Sequence, residues 1–244
     1  MSGPIVLSIG TTHPWNVAGV GRDLAIGGEL HARVFTAVAA VSAQDATGVR
    51  GLQAIRGDVF AAQLQALPWA AAGAVRIGAL PTAENASLVA ALLRLHPQTP
   101  AVVDPVFAAS QGGDLADAAA RAVVRDELAV LPGVILTPNL AEAAQLLGID
   151  AVDRDSIADA AQALARRGPM AVLVKGGHLN GEPADALATA AGVELLAEPR
   201  IAAGMRGTGC TLAMVLACEL ARGADLRDAV VAARTYVRAQ LAAH

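Results

Sequence analysis

The sequence predicts an α/β fold: a mostly parallel central sheet with helices on both faces. Three observations lead there. Val34 to Val41, Ala101 to Val103, Val134 to Leu136 and Ala171 to Val174 are short, almost wholly apolar runs, the pattern of strands buried on both sides. Helical patterns separate them, so successive strands are joined by crossovers and run parallel. Polar clusters and glycines follow the apolar runs, on the side where open α/β sheets gather their ligands.

In chain order, Pro4 to Ile9 is the first strand, followed by a loop through Asn16 and a helical pattern from about Val20 to Leu30. Val34 to Val41 is β-branched enough for a buried strand. Asp58 is placed to cap a helix carrying Phe60, Leu64 and Leu67 and ending near Pro68. Ala74 to Ile77 is a strand, Glu84 to Leu95 a helix and Ala101 to Val103 a strand. Leu115 to Leu131 reads as one helix and Val134 to Leu136 as a strand; Leu140 to Leu147 is a helix that Gly148 stops. Ser156 to Arg167 is a helix and Ala171 to Val174 a strand. Ala186 to Thr189 and Val193 to Ala197 flank Ala191-Gly192 as a hairpin. Two helices, Thr211 to Arg222 and Leu226 to about Ala242, close the pattern.

At 55% apolar and 2% aromatic, the 244 residues supply a large aliphatic, Ala-rich core. No repeat, low-complexity run or linker divides them, so residues 1–244 are read as a single domain. A net charge of −4 argues against sequence-independent nucleic-acid binding, which needs a concentrated basic face. The apolar segments are too short and interrupted to span a membrane. No N-terminal stretch has the make-up of a signal peptide, so a soluble cytoplasmic protein is expected. Cys210 and Cys218, the two cysteines, are too few for a disulfide scaffold or a four-ligand zinc site.

The most informative stretch is Gly207-Thr208-Gly209-Cys210-Thr211, which opens directly into the apolar run Leu212 to Leu220. A glycine-rich helix entry leaves backbone N–H groups unpaired at the positive end of the helix dipole, a ready anion site. Cys210 then sits beside the bound anion, and a helix N-terminus should lower its thiol pKa. A phosphate cradle beside a potential base suggests phosphoryl transfer; the plainer alternative is a Gly-rich helix entry with a buried cysteine. Other strand ends add candidates. Asp104, held extended before Pro105, is either a turn cap or a carboxylate in a magnesium shell. Asn139 is a good N-cap for the helix bearing Glu142, and Glu142 would lie near the metal or its waters. Lys175, the only lysine, stands in a Gly-Gly turn with His178 as a solvated residue or a phosphate contact. His13, His31, His96 and His244 lack metal-ligand spacing, and Trp15 either packs or stacks on a flat ring. Gly19-Val20-Gly21-Arg22-Asp23-Leu24 has Leu24 where a dinucleotide fingerprint needs its third glycine, and Lys175 precedes rather than follows its glycines. A Rossmann dehydrogenase and a P-loop kinase are both disfavoured.

Six motifs in order resemble the ribokinase superfamily, specifically the hydroxymethylpyrimidine and phosphomethylpyrimidine kinases of thiamine biosynthesis. They are Ala18-Gly19-Val20 with Asp23, Ala43-Gln44 with Thr47-Gly48-Val49, Val103-Asp104-Pro105-Val106, Leu136-Thr137-Pro138-Asn139-Leu140 with Glu142-Ala143, Lys175-Gly176-Gly177-His178, and the Gly207 to Thr211 stretch. The resemblance implies a three-layer α/β/α sandwich acting as a homodimer, with ATP and Mg²⁺ as cofactors and a small pyrimidine as substrate. It implies Cys210 as base, with Gly207, Thr208 and Gly209 as its anion hole. It places Asp23, Gln44, Ala18 and Gly19 around the pyrimidine, Asp104 and Glu142 on the metal, and Lys175, Asn139 and Thr208 on the nucleotide side. Two departures stand out: His13 replaces an acidic residue in a first loop made bulkier by Trp15 and Asn16, and Arg206 stands where His is common. His13 and Trp15 therefore border the substrate, and Arg206 adds a fixed charge beside the phosphates. One implied variant is an enzyme restricted to the monophosphate. A pyridoxal kinase and a catalytically silent pyrimidine-binding relative are the alternatives.

Overall fold

The computed structural model describes residues 3–45, 47–177, 183–202 and 204–243. Its strands are β1 (Ile5–Thr12), β2 (Arg33–Asp45), β3 (Gly48–Ala54), β4 (Ala74–Ile77), β5 (Ala101–Val103), β6 (Val134–Leu136), β7 (Ala171–Val174), β8 (Ala184–Thr189) and β9 (Gly192–Ala197). They form one sheet in the order β3-β2-β1-β4-β5-β6-β7-β8-β9. The neighbours from β2 through to β7 pair in parallel, whereas β3 at one edge and β8 with β9 at the other run antiparallel. The helices are α1 (Gly19–Glu29), α2 (Gly57–Ala66), α3 (Ala83–Leu95), α4 (Ala118–Val123), α5 (Leu140–Leu147), α6 (Ile157–Ala165), α7 (Thr208–Ala221) and α8 (Leu226–Ala242). None of the described helices is long and apolar enough to cross a membrane.

The pleat sends alternate side chains to opposite faces, so each central strand feeds two cores. Val75, Val103, Leu136 and Val172 join Phe60 of α2, Val89 of α3, Leu146 of α5 and Leu164 of α6 on one face. Ala74, Val102, Ile135 and Leu173 join Ile26 of α1, Met214 and Leu216 of α7 and Val230 of α8 on the other. The result is the expected three-layer α/β/α sandwich. Each fully buried Val, Leu, Ile or Phe contributes roughly 1.5–3 kcal/mol, so the two layers dominate the stability. β1 has β2 on one side and β4 on the other, which makes the carboxyl ends of β1 and β4 the topological switch point.

Several elements differ from the expectation, among them β2, which runs past Val41 to Asp45. β1 runs on to Thr12, with a register shift between Gly10 and Thr11 that lets it follow β2. Periodicity gives no sign of β3, whose Gly48, Arg50 and Gly51 break any apolar pattern; the long β2 supplies its antiparallel partner. Arg56, not Asp58, occupies the N-cap of α2, and Asp58 sits in the first turn, where it accepts the Val59 amide at 2.8 Å. The helix expected from Leu115 starts only at Ala118, where Asp117 accepts the Ala120 amide at 2.7 Å, and it passes into a π turn over Val124–Leu128. Leu115 is instead drawn back onto the Phe107 carbonyl at 2.9 Å, because Ala108 and Asp114 bridge to close a loop. Gly148 ends α5 in the left-handed region at φ 71°, as its position predicts.

Candidate active site

A cleft of about 760 Å³ opens at the carboxyl ends of the parallel strands. Its walls are the loop after β1, the strand-end residues Asp104 and Lys175, the start of α5 and the turn before α7. Two glycines set that turn. At Gly207, φ is +75° and a Cβ would lie 2.0 Å from the Val17 carbonyl oxygen; at Gly19, φ is +62° and a Cβ would lie 2.3 Å from that of Thr11. Only glycine meets both demands, so the first loop and the turn pack backbone against backbone. The Thr211 amide donates to the Gly207 carbonyl at 2.8 Å, the first bond of α7. The amides of Thr208, Gly209 and Cys210 thus stand at the positive helix end without an intrahelical acceptor.

Below the turn runs a chain of buried charge. Arg76 of β4 is fully buried, with Nη1 3.3 Å from Asp23 Oδ2 and Nη2 3.3 Å from Asp104 Oδ2. Lys175 Nζ donates to Asp104 Oδ1 at 2.6 Å, and Ser8 Oγ donates to Asp23 Oδ2 at 2.6 Å. Gly78 makes room for the guanidinium, since a Cβ there would lie 2.3 Å from Arg76 Nη1. Burial pushes the Asp23 carboxyl above its ordinary value despite Arg76 and Ser8. Burial would lower the Lys175 ammonium, but the carboxylates of Asp104 and Glu142 hold it above its ordinary value. A Cβ on Gly209 would sit 3.0 Å from Lys175 Nζ, so the bare backbone leaves space over the Lys175–Asp104 pair.

Asn139 and Glu142 form a capping box: the Glu142 amide donates to Asn139 Oδ1 at 2.9 Å, and the Asn139 amide to Glu142 Oε2 at 2.7 Å. Burial moves the Glu142 carboxyl up to about 7, with Asp104 adding to the rise and Lys175 and the Asn139 amide opposing it. No group of three or more His, Cys, Asp or Glu among the described residues could hold a metal by itself. Mg²⁺ nevertheless suits one or two carboxylates completed by water and phosphate oxygens, and Asp104 and Glu142, which both line the cleft, fit that donor set.

Several expected site residues meet here. Gly207, Thr208, Gly209, Cys210, Arg206, Gln44, Ala18, Gly19, His13, Lys175, Asn139, Asp104 and Glu142 all line the cleft. Two expected ones do not. Asp23 lies wholly buried beneath the wall, because Arg76 and Ser8 draw its carboxylate inward rather than into the cleft. Trp15 is 54% exposed and stands off the wall. Nor does the Cys210 thiol fall: burial pushes it up, outweighing Arg76 and the Gly19 amide, which favour the thiolate. His178 and His244 lie outside the described residues. Sequence reasoning missed Arg76; its signal was a charge inside the otherwise apolar run Ala74 to Ile77, whose burial demands paired carboxylates.

The family model described as phosphomethylpyrimidine kinase matches residues 14–244. A hydroxymethylpyrimidine/phosphomethylpyrimidine kinase from Streptomyces coelicolor is 36% identical over 243 residues, covering 98% of this chain and 89% of that protein. Among solved structures, a phosphomethylpyrimidine kinase from Clostridium difficile superposes with a TM-score of 0.84 at 25% identity, over 97% of this chain and 99% of that one. An ADP complex of Bacillus subtilis pyridoxal kinase gives a TM-score of 0.88 at 27% identity, over 99% and 92% of the two chains.

Proposed function

The chain belongs to the phosphomethylpyrimidine kinase family, and from that membership and its cleft we propose a pyrimidine kinase of thiamine biosynthesis. It transfers the γ-phosphoryl group of ATP to 4-amino-5-hydroxymethyl-2-methylpyrimidine and to its monophosphate. The observation that carries this reading is the turn from Gly207 to Cys210, packed on one side against Val17 and open on the other over Lys175 and Asp104. It joins an acceptor half of the cleft to a donor half.

On the donor side, Lys175, Asn139 and Thr208 face the nucleotide phosphates. Asp104 and Glu142 would hold Mg²⁺, which when bound neutralises charge on the phosphates. On the acceptor side, Gln44, Ala18, Gly19 and His13 border the pyrimidine, and Asp23 acts from beneath through Arg76. The three free amides of the turn, backed by the helix dipole, stabilise the transferring group. With the alcohol as acceptor, its oxygen bonds to the γ-phosphorus as the bond to ADP breaks, and its proton passes to the Cys210 thiolate. Burial disfavours that thiolate, and Arg76 and the Gly19 amide oppose the effect of burial. Catalysis is mostly positioning and charge neutralisation, as in other phosphoryl transfers. The family resemblance further supports a cytoplasmic homodimer, and sedimentation equilibrium would check the dimer by finding twice the chain mass.

ADP release with Mg-ATP, measured across the alcohol, its monophosphate and pyridoxal, tests the reading. Turnover of a pyrimidine above pyridoxal is expected. Turnover of pyridoxal alone would replace it with a pyridoxal kinase, and tight pyrimidine binding without turnover would leave a silent binder.

A further inference from the structure

We propose that His13 and Arg206 form a seat for the phosphate already carried by the acceptor, so that this cleft selects the monophosphate over the alcohol. The proposal rests on the kinase reading above and deepens it. His13 lines the cleft at 5% exposure, and neither ring nitrogen makes a hydrogen bond of ordinary geometry. Buried polar side chains nearly always have a partner, so this ring is prepared for one that arrives with a ligand. Arg206 immediately precedes the anion-binding turn. Its one hydrogen bond among the described residues, from Nη1 to the Asp45 carbonyl at 3.0 Å, holds the guanidinium at the end of β2, next in sequence to the cleft residue Gln44. Burial lowers the His13 imidazole below its ordinary value against the pull of the Ala18 backbone, and the Arg206 charge adds to the fall, so the two side chains lie within electrostatic reach of each other. Both belong to the acceptor half, because Gly207 packs onto Val17 and Ala18, in the loop that starts at His13.

The chemistry of the second transfer explains why that half needs charge. There the attacking atom is an oxygen of the acceptor's phosphate, so two anionic phosphates must meet end to end. Lys175 is engaged by Asp104, and Arg76 by Asp23 and Asp104. Among the described arginines and lysines that line the cleft, Arg206 is the one that makes no salt bridge, and a guanidinium with a neutral imidazole donor suits a phosphate. The step balances without a base: the new P–O bond forms as the bond to ADP breaks, and the products are the diphosphate and ADP. A Cys210 thiol held neutral by burial costs this step nothing, whereas it slows attack by an alcohol.

The test compares kcat/KM on the alcohol and on the monophosphate for wild type, Arg206→Gln, Arg206→Lys and His13→Asn. Calorimetric Kd values for both acceptors without ATP provide a readout independent of turnover. Wild type should favour the monophosphate by at least about tenfold, the scale of one hydrogen bond to a charged group. Arg206→Gln should lose about 10- to 100-fold on the monophosphate, in kcat/KM and in Kd, and less than about threefold on the alcohol. Arg206→Lys should recover part of that loss, and His13→Asn should show a smaller loss of the same selectivity. Equal losses on both acceptors, or a wild type that favours the alcohol, would overturn the seat while leaving the kinase reading intact. A wild type that turns over neither acceptor overturns the kinase reading instead. The Kd values then decide alone: tighter, Arg206-dependent binding of the monophosphate upholds the seat, and equal binding removes it.

Discussion

Glu142→Gln should make the ligand-free protein more stable above pH 7. The Glu142 carboxyl is 7% exposed, and burial with Asp104 nearby moves it from 4.5 to about 7 despite Lys175 and the Asn139 amide. The sign follows from linkage. Below the unfolded value both states hold the proton, so the carboxyl costs nothing. As pH rises from about 4.5 towards 7, the unfolded chain releases it first and the folded state loses ground; above about 7 the loss is complete. At 1.36 kcal/mol per pH unit, the penalty reaches roughly 3 kcal/mol by pH 8. Glutamine mimics the protonated form and keeps an oxygen to accept the Asn139 amide, so the capping box survives. For a chain of this size each kcal/mol moves Tm by about 2–4 °C, so the variant should melt about 6–12 °C above wild type at pH 8. Near pH 4.5 the gap should vanish. Calorimetric melts from pH 4.5 to 8.5, without nucleotide or Mg²⁺, measure it directly. Parallel Tm–pH curves for the two proteins, or a variant less stable at pH 8, would refute the buried, strained carboxylate. The same variant should lose activity, because a neutral amide is a poor magnesium ligand.

Three further outcomes follow from the site. Arg76→Met strands the carboxylates of Asp23 and Asp104 and should cost about 3–5 kcal/mol in urea unfolding at pH 7.5. Losing Arg76 raises the already raised Asp23 carboxyl further, so the deficit should deepen as pH climbs above the ordinary carboxylate range; a loss under about 1 kcal/mol would contradict the paired arrangement. Cys210→Ala should keep the fold and lower alcohol turnover by about 10²–10⁴, with far less effect on the monophosphate, and wild-type alcohol activity would remove Cys210 from the mechanism. Gly209→Ala places a methyl 3.0 Å from Lys175 Nζ and should lower kcat/KM for ATP by about 10- to 100-fold through misplacement. Unchanged steady-state kinetics would show that the turn has slack to spare over Lys175.

The architecture was legible because burial on both faces leaves a local imprint. β4, β5, β6 and β7 begin and end where their apolar runs do, since every residue in them must enter one core or the other. The one exception, Arg76, was visible as an exception but not as a partner. The Asn139–Glu142 capping box and the Gly148 stop were also readable, because both rest on contacts within a few residues. β3 was not. Its strand character comes from hydrogen bonds to β2, and its own residues carry little preference for it.

The same division runs through the active site. Sequence alone determined which residues reach the carboxyl ends of the strands, because strand ends and glycine turns are local events: Asp104, Asn139, Lys175 and the Gly207–Cys210 turn were all named from position. Tertiary structure decided what those groups are beside. The helix-terminus rule that lowers a cysteine pKa is local and was outweighed by desolvation, which depends on everything packed around Cys210. Asp23 left the cleft because Arg76 arrives from β4, far along the chain from α1, to claim it. His13 became a candidate ligand group because the fold buries it with neither ring nitrogen in a hydrogen bond of ordinary geometry. Charge, burial and pairing are sums over distant parts of the chain, and only the folded arrangement evaluates them.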